Sequence, residues 1–259
     1  LEMKKQNLID VLKLTIYISL IIQILTSVFN IAILSMDIFD KSFQDDIEIL
    51  IQLVWLGLIV QIIEGTFYAW LVKYVDVISN ITKYRYYDWF FSTPTMLITL
   101  VVYLLYLKDR EENEKEVIKK DSNSDKKEKL EKTAKKSNND LWSYLKENKY
   151  LLSIILFLNS LMLLFGYLGE IGTISNSTAV MFGFIPFLTY FYLIYENYAK
   201  HTTTGIWLFV LFTAIWSLYG FAALMPYYIK NIGYNLLDMV SKNFFEVFLG
   251  FKLLFALNI

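Results

Sequence analysis

Apolar and polar positions along this 259-residue chain fall into long blocks rather than short alternations. Leu14–Met36, Tyr150–Gly169, Ile171–Tyr195 and Thr202–Ile229 hold no charged side chain. Each has the ~20 residues a helix needs to cross a ~30 Å hydrocarbon layer. Three further segments are apolar with sparse charges. The pattern predicts seven membrane-spanning helices, over roughly 8–35, 47–72, 83–107, 149–169, 177–198, 204–226 and 233–257. Inside a bilayer only helices and closed barrels satisfy their backbone groups, and these runs are too long for barrel strands of about 10 residues. The expected fold is an all-α membrane protein, a single seven-helix bundle. The first apolar run is long enough to persist as a span, so no cleavable leader is expected.

Charge changes this picture in one place. Of 24 basic and 25 acidic residues, 13 and 11 fall between Lys108 and Lys149. The chain therefore divides into helices one to three (1–107), a charged connection (108–148) and helices four to seven (149–259). Alternating Glu and Lys support helix in that connection, and Asp121–Asp125 is expected to interrupt it. Asn139–Asp140 is placed to cap a short interfacial helix, LWSYLKENK, with Leu141, Trp142 and Leu145 on one apolar face. With the N-terminus outside, the inner connections carry Lys41, the 13 basic residues of the loop and Lys200, against six lysines outside. The positive-inside rule thus places the C-terminus and the enlarged loop in the cytoplasm.

A net charge of −1 excludes a basic nucleic-acid binder. Zero cysteines exclude disulfides and thiolate metal sites, and the single histidine, His201, is expected in a solvated polar connection. No metal site is expected. The partners are expected to be the lipid bilayer, permeating cations or protons, and, in a homo-oligomer, further copies of the chain.

Ionisable residues inside spans are costly and mark function. The third span holds Arg85 and Asp88, the second Glu64, and the seventh Asp238, Lys242 and Glu246, spaced four apart along one helical face. Asp88, Asp238, Arg85 and Lys242 make a neutral quartet. A buried lysine that deprotonates is a nucleophile suited to a Schiff base.

The residues around these charges resemble the microbial, type 1, rhodopsins. RYYDWFFSTPTML (Arg85–Leu97) is similar to their third-helix signature, and LDMVSK (Leu237–Lys242) to the seventh-helix motif that ends in the retinal-binding lysine. WSLYG (Trp216–Gly220) matches the sixth helix, while FGYLGEIG (Phe165–Gly172) and YLIYE (Tyr192–Glu196) resemble the fourth and fifth helices of proteorhodopsins. The resemblance implies all-trans retinal bound as a protonated Schiff base on Lys242. Asp88 and Asp238 would be its counterions, with Arg85 on their extracellular side. Trp89 and Trp216 would sandwich the polyene, Tyr219 would hydrogen-bond Asp238, and Ser92, Thr93, Met96, Met162 and Gly166 would complete the pocket.

Some positions depart from the familiar pumps. Gly220 and Ala223 stand where the sixth helix often has Pro and Trp. Thr99, about 16 Å along the helix from Asp88, replaces the carboxylate that reloads the Schiff base in outward proton pumps. The second helix has no His to partner Asp88. Polar stripes stand out instead: Ser19, Gln23, Ser27 and Asn30 on helix one, Gln61, Glu64 and Tyr68 on helix two, and Asn235, Asn243 and Glu246 on helix seven. Facing a common interior, they line a hydrated cation path, with Glu64 and Glu246 supplying negative field. Interhelical hydrogen-bonding glue is the alternative for the same groups. The enlarged loop and the missing donor also resemble the viral branch, some members of which are light-gated cation channels. The leading expectation is a light-gated cation channel. The alternatives are a slow outward proton pump and a photosensor signalling through 108–148. An enzyme is not expected, because no nucleotide loop, metal cluster or nucleophile–base motif stands outside the span charges.

Overall fold

The structure, a computed structural model, describes residues 2–36, 45–122 and 140–256. These form α1 (Glu2–Ser35), α2 (Asp45–Tyr74), α3 (Thr82–Ser122), α4 (Leu141–Glu170), α5 (Asn176–Asn197) and α6 (Thr203–Ala223). A seventh helix comes next, in three pieces laid end to end: α7 (Tyr227–Asp238), a π-helical turn (Met239–Asn243) and α8 (Phe244–Ala256). Each helix packs on the next, and the seventh closes the ring against α1 and α2. Six helices meet the length and hydropathy of a membrane span among the described residues. The seventh is divided by its π turn and carries three ionisable residues in its middle.

The bundle has a buried apolar core, but large apolar side chains also face outward while many polar ones are buried. Leu25, Ile62, Phe157, Trp207 and Phe255 are all more than half exposed, while Gln23, Asn30, Gln61, Glu64 and Arg85 are buried. Lipid accepts the first set at no cost, and the second set must meet inside the bundle. The protein is an integral, multi-pass membrane protein. Pro94 and Pro186 lie inside α3 and α5, where neighbouring helices can re-satisfy the backbone groups that a proline frees.

Several boundaries differ from those read in the sequence, the start of α1 among them, at Glu2 rather than 8. Helix α3 continues past 107 to Ser122, since the Glu/Lys-rich stretch extends it with i,i+4 pairs such as Arg110–Glu114 (3.2 Å) and Lys115–Glu111 (2.8 Å). LWSYLKENK is the first part of α4 and not a separate interfacial helix. The seventh helix starts at Tyr227 rather than 233, with Pro226 at its N-cap. A proline fits there because the first backbone N–H groups of a helix have no partner within it. Lys41 and residues 123–139 lie outside the described residues. Much of the charge asymmetry behind the orientation, the Asn139 cap and the signalling role of the loop rest on them.

Asp140 caps α4: its Oδ1 accepts from Ser143 N (2.9 Å) and Ser143 Oγ (2.6 Å). These two bonds hold the Asp140 carboxyl below its ordinary value. A depressed native value means that the cap is complete above the usual carboxylate range and is lost as pH falls through the native value. Asp140→Ala is expected to speed amide hydrogen exchange at Ser143 and Tyr144, and acid to do the same in the unsubstituted protein.

Candidate functional site

Lys242 lies within the π turn, buried in the bundle centre. A π turn adds one residue to the hydrogen-bonded ring and re-aims the side chains it carries. Three carboxylates meet the Lys242 ammonium. Asp88 Oδ2 is 3.0 Å away, Asp238 Oδ1 is 3.4 Å away, and Glu64 Oε2 on α2 is also in direct contact. The quartet expected from the sequence is a quintet. Glu64, expected along an ion path, is also part of the ammonium's own environment. Two cations face three carboxylates, so the cluster carries one net negative charge unless it retains a proton.

Asp238 is the hub. Its Oδ2 meets Arg85 Nη1 (3.2 Å) and Tyr68 Oη (2.9 Å), and its Oδ1 accepts from Tyr219 Oη (2.8 Å) and Trp89 Nε1 (3.4 Å). Arg85 pairs with Asp238 and makes no ion pair with Asp88. Its remaining donors go to Tyr68 Oη (3.3 Å), Asn231 Oδ1 (3.1 Å), Asn231 O and Asn235 Oδ1, and the guanidinium lies near the Phe67, Tyr68 and Tyr234 rings. Asn235 donates onward to Thr15 Oγ1 (2.8 Å), and Asn231 to Thr82 Oγ1 (2.8 Å). Ser19, expected in the ion path, donates to Asn235 O (3.4 Å) and joins this network.

On the other side of Lys242, towards the α3–α4 connection, the polar groups are not paired. Both amide atoms of Gln23, Asn30 and Gln61 are buried without a hydrogen-bond partner, as are Asn243 Oδ1 and Glu246 Oε2. Ser27 spends its hydroxyl on Gln23 O (2.8 Å). Buried polar groups are normally satisfied by protein or by ordered water, and these have no protein partner.

A cavity opens from Lys242 between α3, α4, α5, α6 and the seventh helix. Trp89, Met96, Met162 and Trp216 supply its apolar walls, with Thr93, Gly166 and Tyr219 among the remaining lining. Ser92, expected there, is buried but does not line it. Gly166 is required, since a Cβ at that position would lie 2.7 Å from Tyr86 Oη. The cavity is long, apolar and ended by one amine. It fits an elongated polyene with a carbonyl at one end.

Other groups escaped the sequence reading. Asn159 donates to Thr93 Oγ1 (2.8 Å), and an amide in the middle of an uncharged span was the available signal. Glu170 and Lys230 form a buried pair (2.7 Å) at the cavity's far end. Sixty residues apart and at span boundaries, they look like ordinary interfacial charges. His201 is exposed, as expected, with a ring nitrogen 3.2 Å from Asn197 O.

These features recur in known proteins. A family model described as bacteriorhodopsin-like protein matches residues 15–256. The viral rhodopsin OLPVRII has a similar structure, with 22% identity, TM-score 0.69, and 92% of this chain and 95% of that chain covered. A blue light-absorbing proteorhodopsin from Med12 gives 16% identity and TM-score 0.64, covering 96% of this chain and 98% of that one. For the proton pumping rhodopsin AR2 of the marine alga Acetabularia acetabulum the values are 14% and 0.62, with 96% and 95% covered. Sequence comparison with curated proteins finds no match. The family match spans nearly the whole ring of helices together with the lysine-ended cavity, and the chain belongs to the bacteriorhodopsin-like family, membrane proteins that bind retinal through a Schiff base to a lysine.

Proposed function

We propose that retinal is attached at Lys242 and that the chain is a light-gated cation channel. Bound retinal supplies light absorption and an isomerisation that re-aims the Lys242 nitrogen. The later steps fall to the side chains. Asp88, at 3.0 Å, is placed to take the proton from Lys242 Nζ. Asp238 is less suited to the task, because Arg85, Tyr68, Trp89 and Tyr219 already hold its oxygens. Once the nitrogen is neutral, Glu64 loses the cation it contacts. Its Oε1 has no partner to hold it in place, so the carboxylate is free to turn towards Gln61 and the unpaired groups.

The observation that carries the channel reading is the unpaired row on α1, α2 and the seventh helix. Gln23, Asn30, Gln61 and Asn243 offer carbonyl oxygens that can replace part of a cation's hydration shell, and Glu64 and Glu246 supply negative charge. On the opposite side, the Arg85–Asn231–Asn235 network is closed in the dark. Conduction requires the link between Asp238 and Arg85 (3.2 Å) to open once Glu64 has moved.

Whole-cell photocurrent with retinal supplied, stepped across voltage and repeated with changed external cations, tests the reading. A current that reverses at a potential following the cation gradient is expected. Glu64→Gln is expected to lower the conductance several-fold or to shift the reversal potential. Unaltered photocurrent in that variant removes Glu64 from the path. Outward current persisting at zero driving force would make the chain a proton pump instead.

A further inference from the structure

Glu246 is a buried carboxyl that the charge cluster around Lys242 leaves aside. It stands one turn beyond Lys242 on the seventh helix and is 1% exposed. Asp238 stands one turn the other way. The two carboxyls bracket Lys242 along one face, each roughly 6 Å away in axial rise, yet their surroundings are opposite. Asp238 is paired with Arg85 and held by three hydroxyl or indole groups. Glu246 Oε2 has no hydrogen-bond partner. Lys252, the next cation along its own helix, is exposed with Nζ over the Phe248 ring. An unpaired anion in such a place is far costlier than the neutral acid.

The seat is built by α2. The Glu246 carboxyl packs against Gly57, where any Cβ would occupy its space. Gly57, Gln61 and Glu64 lie in succession along a single stripe of α2. Glu64 contacts Lys242 and Gly57 faces Glu246, so Gln61 falls between the two. Both amide atoms of Gln61 and Oδ1 of Asn243 lack partners and are placed to hold bridging water. Thr99 cannot serve as the acid, because an aliphatic hydroxyl does not release its proton near neutral pH; it donates to Thr95 O (2.8 Å).

We propose that Glu246 is the internal proton donor: it carries a proton in the dark and delivers it to Lys242 Nζ after that nitrogen has given its own proton to Asp88. The O–H bond of the carboxyl breaks, an N–H bond forms at Nζ, and the carboxylate left behind recovers its proton from water on the α3–α4 side. For that interval Glu246 places a negative charge against the Gly57–Gln61 stripe of α2, in the zone assigned to cations. The inference rests on retinal being linked at Lys242, and it holds for a channel and a pump alike.

The test uses purified full-length protein with and without retinal. Glu246→Gln is expected to keep its visible band while the flash-induced loss of that band recovers at least ~10-fold more slowly, general acids contributing ~10²–10⁴-fold. Azide, a small diffusible acid, is expected to restore the rate. Gly57→Ala, which crowds the carboxyl without removing it, is expected to slow recovery as well. Independently of any light reaction, the infrared spectrum of the retinal-free protein is expected to show a protonated carboxylic acid band that Glu246→Gln removes. Unchanged recovery in Glu246→Gln, or no such band, overturns the donor role. A visible band that survives in Lys242→Ala overturns the attachment on which it rests.

Discussion

Lys242→Ala is expected to abolish the visible absorption band and to weaken the fold at the same time. The first effect is chemical: no other lysine lines the cavity, so no amine remains there to form the imine. The second is electrostatic. Glu64, Asp88 and Asp238 all meet the Lys242 ammonium, and all are buried. Without it, three carboxylates share Arg85, which pairs with Asp238 alone. Breaking a buried ion pair by removing one partner costs ~3–5 kcal/mol, most of it from the uncompensated charge left behind. Thermal unfolding of the retinal-free protein should show the loss, and Glu64→Gln in the same chain should recover part of it. A variant as stable as its parent would mean that the three carboxyls do not depend on this cation.

Asp238→Ala is the second large effect. The substitution leaves the fully buried Arg85 without its anion and takes one partner each from Tyr68 and Tyr219, which keep Asn235 Oδ1 and Ser241 Oγ. The expected loss is again ~3–5 kcal/mol, read as a lower temperature of thermal bleaching or as failure to recover retinal-bound protein. Asp238→Asn keeps the shape and one acceptor oxygen, so it should be milder. Equal damage from Ala and Asn would show that charge, rather than hydrogen bonding, is what Arg85 needs. No difference from the parent in either variant would remove Asp238 from the centre of the network.

The bundle was legible because a bilayer demands long apolar helices, and few other patterns look like them. The seventh span was the hardest to bound, since Lys230, Asp238, Lys242 and Glu246 interrupt it and Pro226 opens it earlier than its hydropathy shows. The i,i+4 pairs beyond α3 and the Asp140 cap were legible in the sequence, but their continuity with the third and fourth spans was not, because hydropathy carries no signal beyond the hydrocarbon. Within the site, Lys242, Asp88, Asp238 and Arg85 stood out as charges in apolar surroundings. Ser19 meets Asn235 because an i,i+4 stripe gives a face but not the neighbour that the face meets, and Ser92, placed in the pocket by the resemblance, lies off its lining. Asn159 and the Glu170–Lys230 pair were overlooked because their partners lie 60 or more residues away.

By itself, the sequence determined which segments span the membrane, which residues are ionisable within them, and that Thr99 is no proton donor. Those are local properties, set by hydropathy and by the chemistry of single side chains. Only the tertiary structure decided how the charges divide. It brought Glu64 into contact with Lys242, bound Arg85 to Asp238 and not to Asp88, and seated Glu246 against Gly57. It also separated the polar stripes into a closed network on one side of Lys242 and an unpaired row on the other. Those outcomes depend on the rotation and axial register of α1, α2 and the seventh helix against one another, and a one-residue rotation of about 100° would send each of these side chains to a different neighbour.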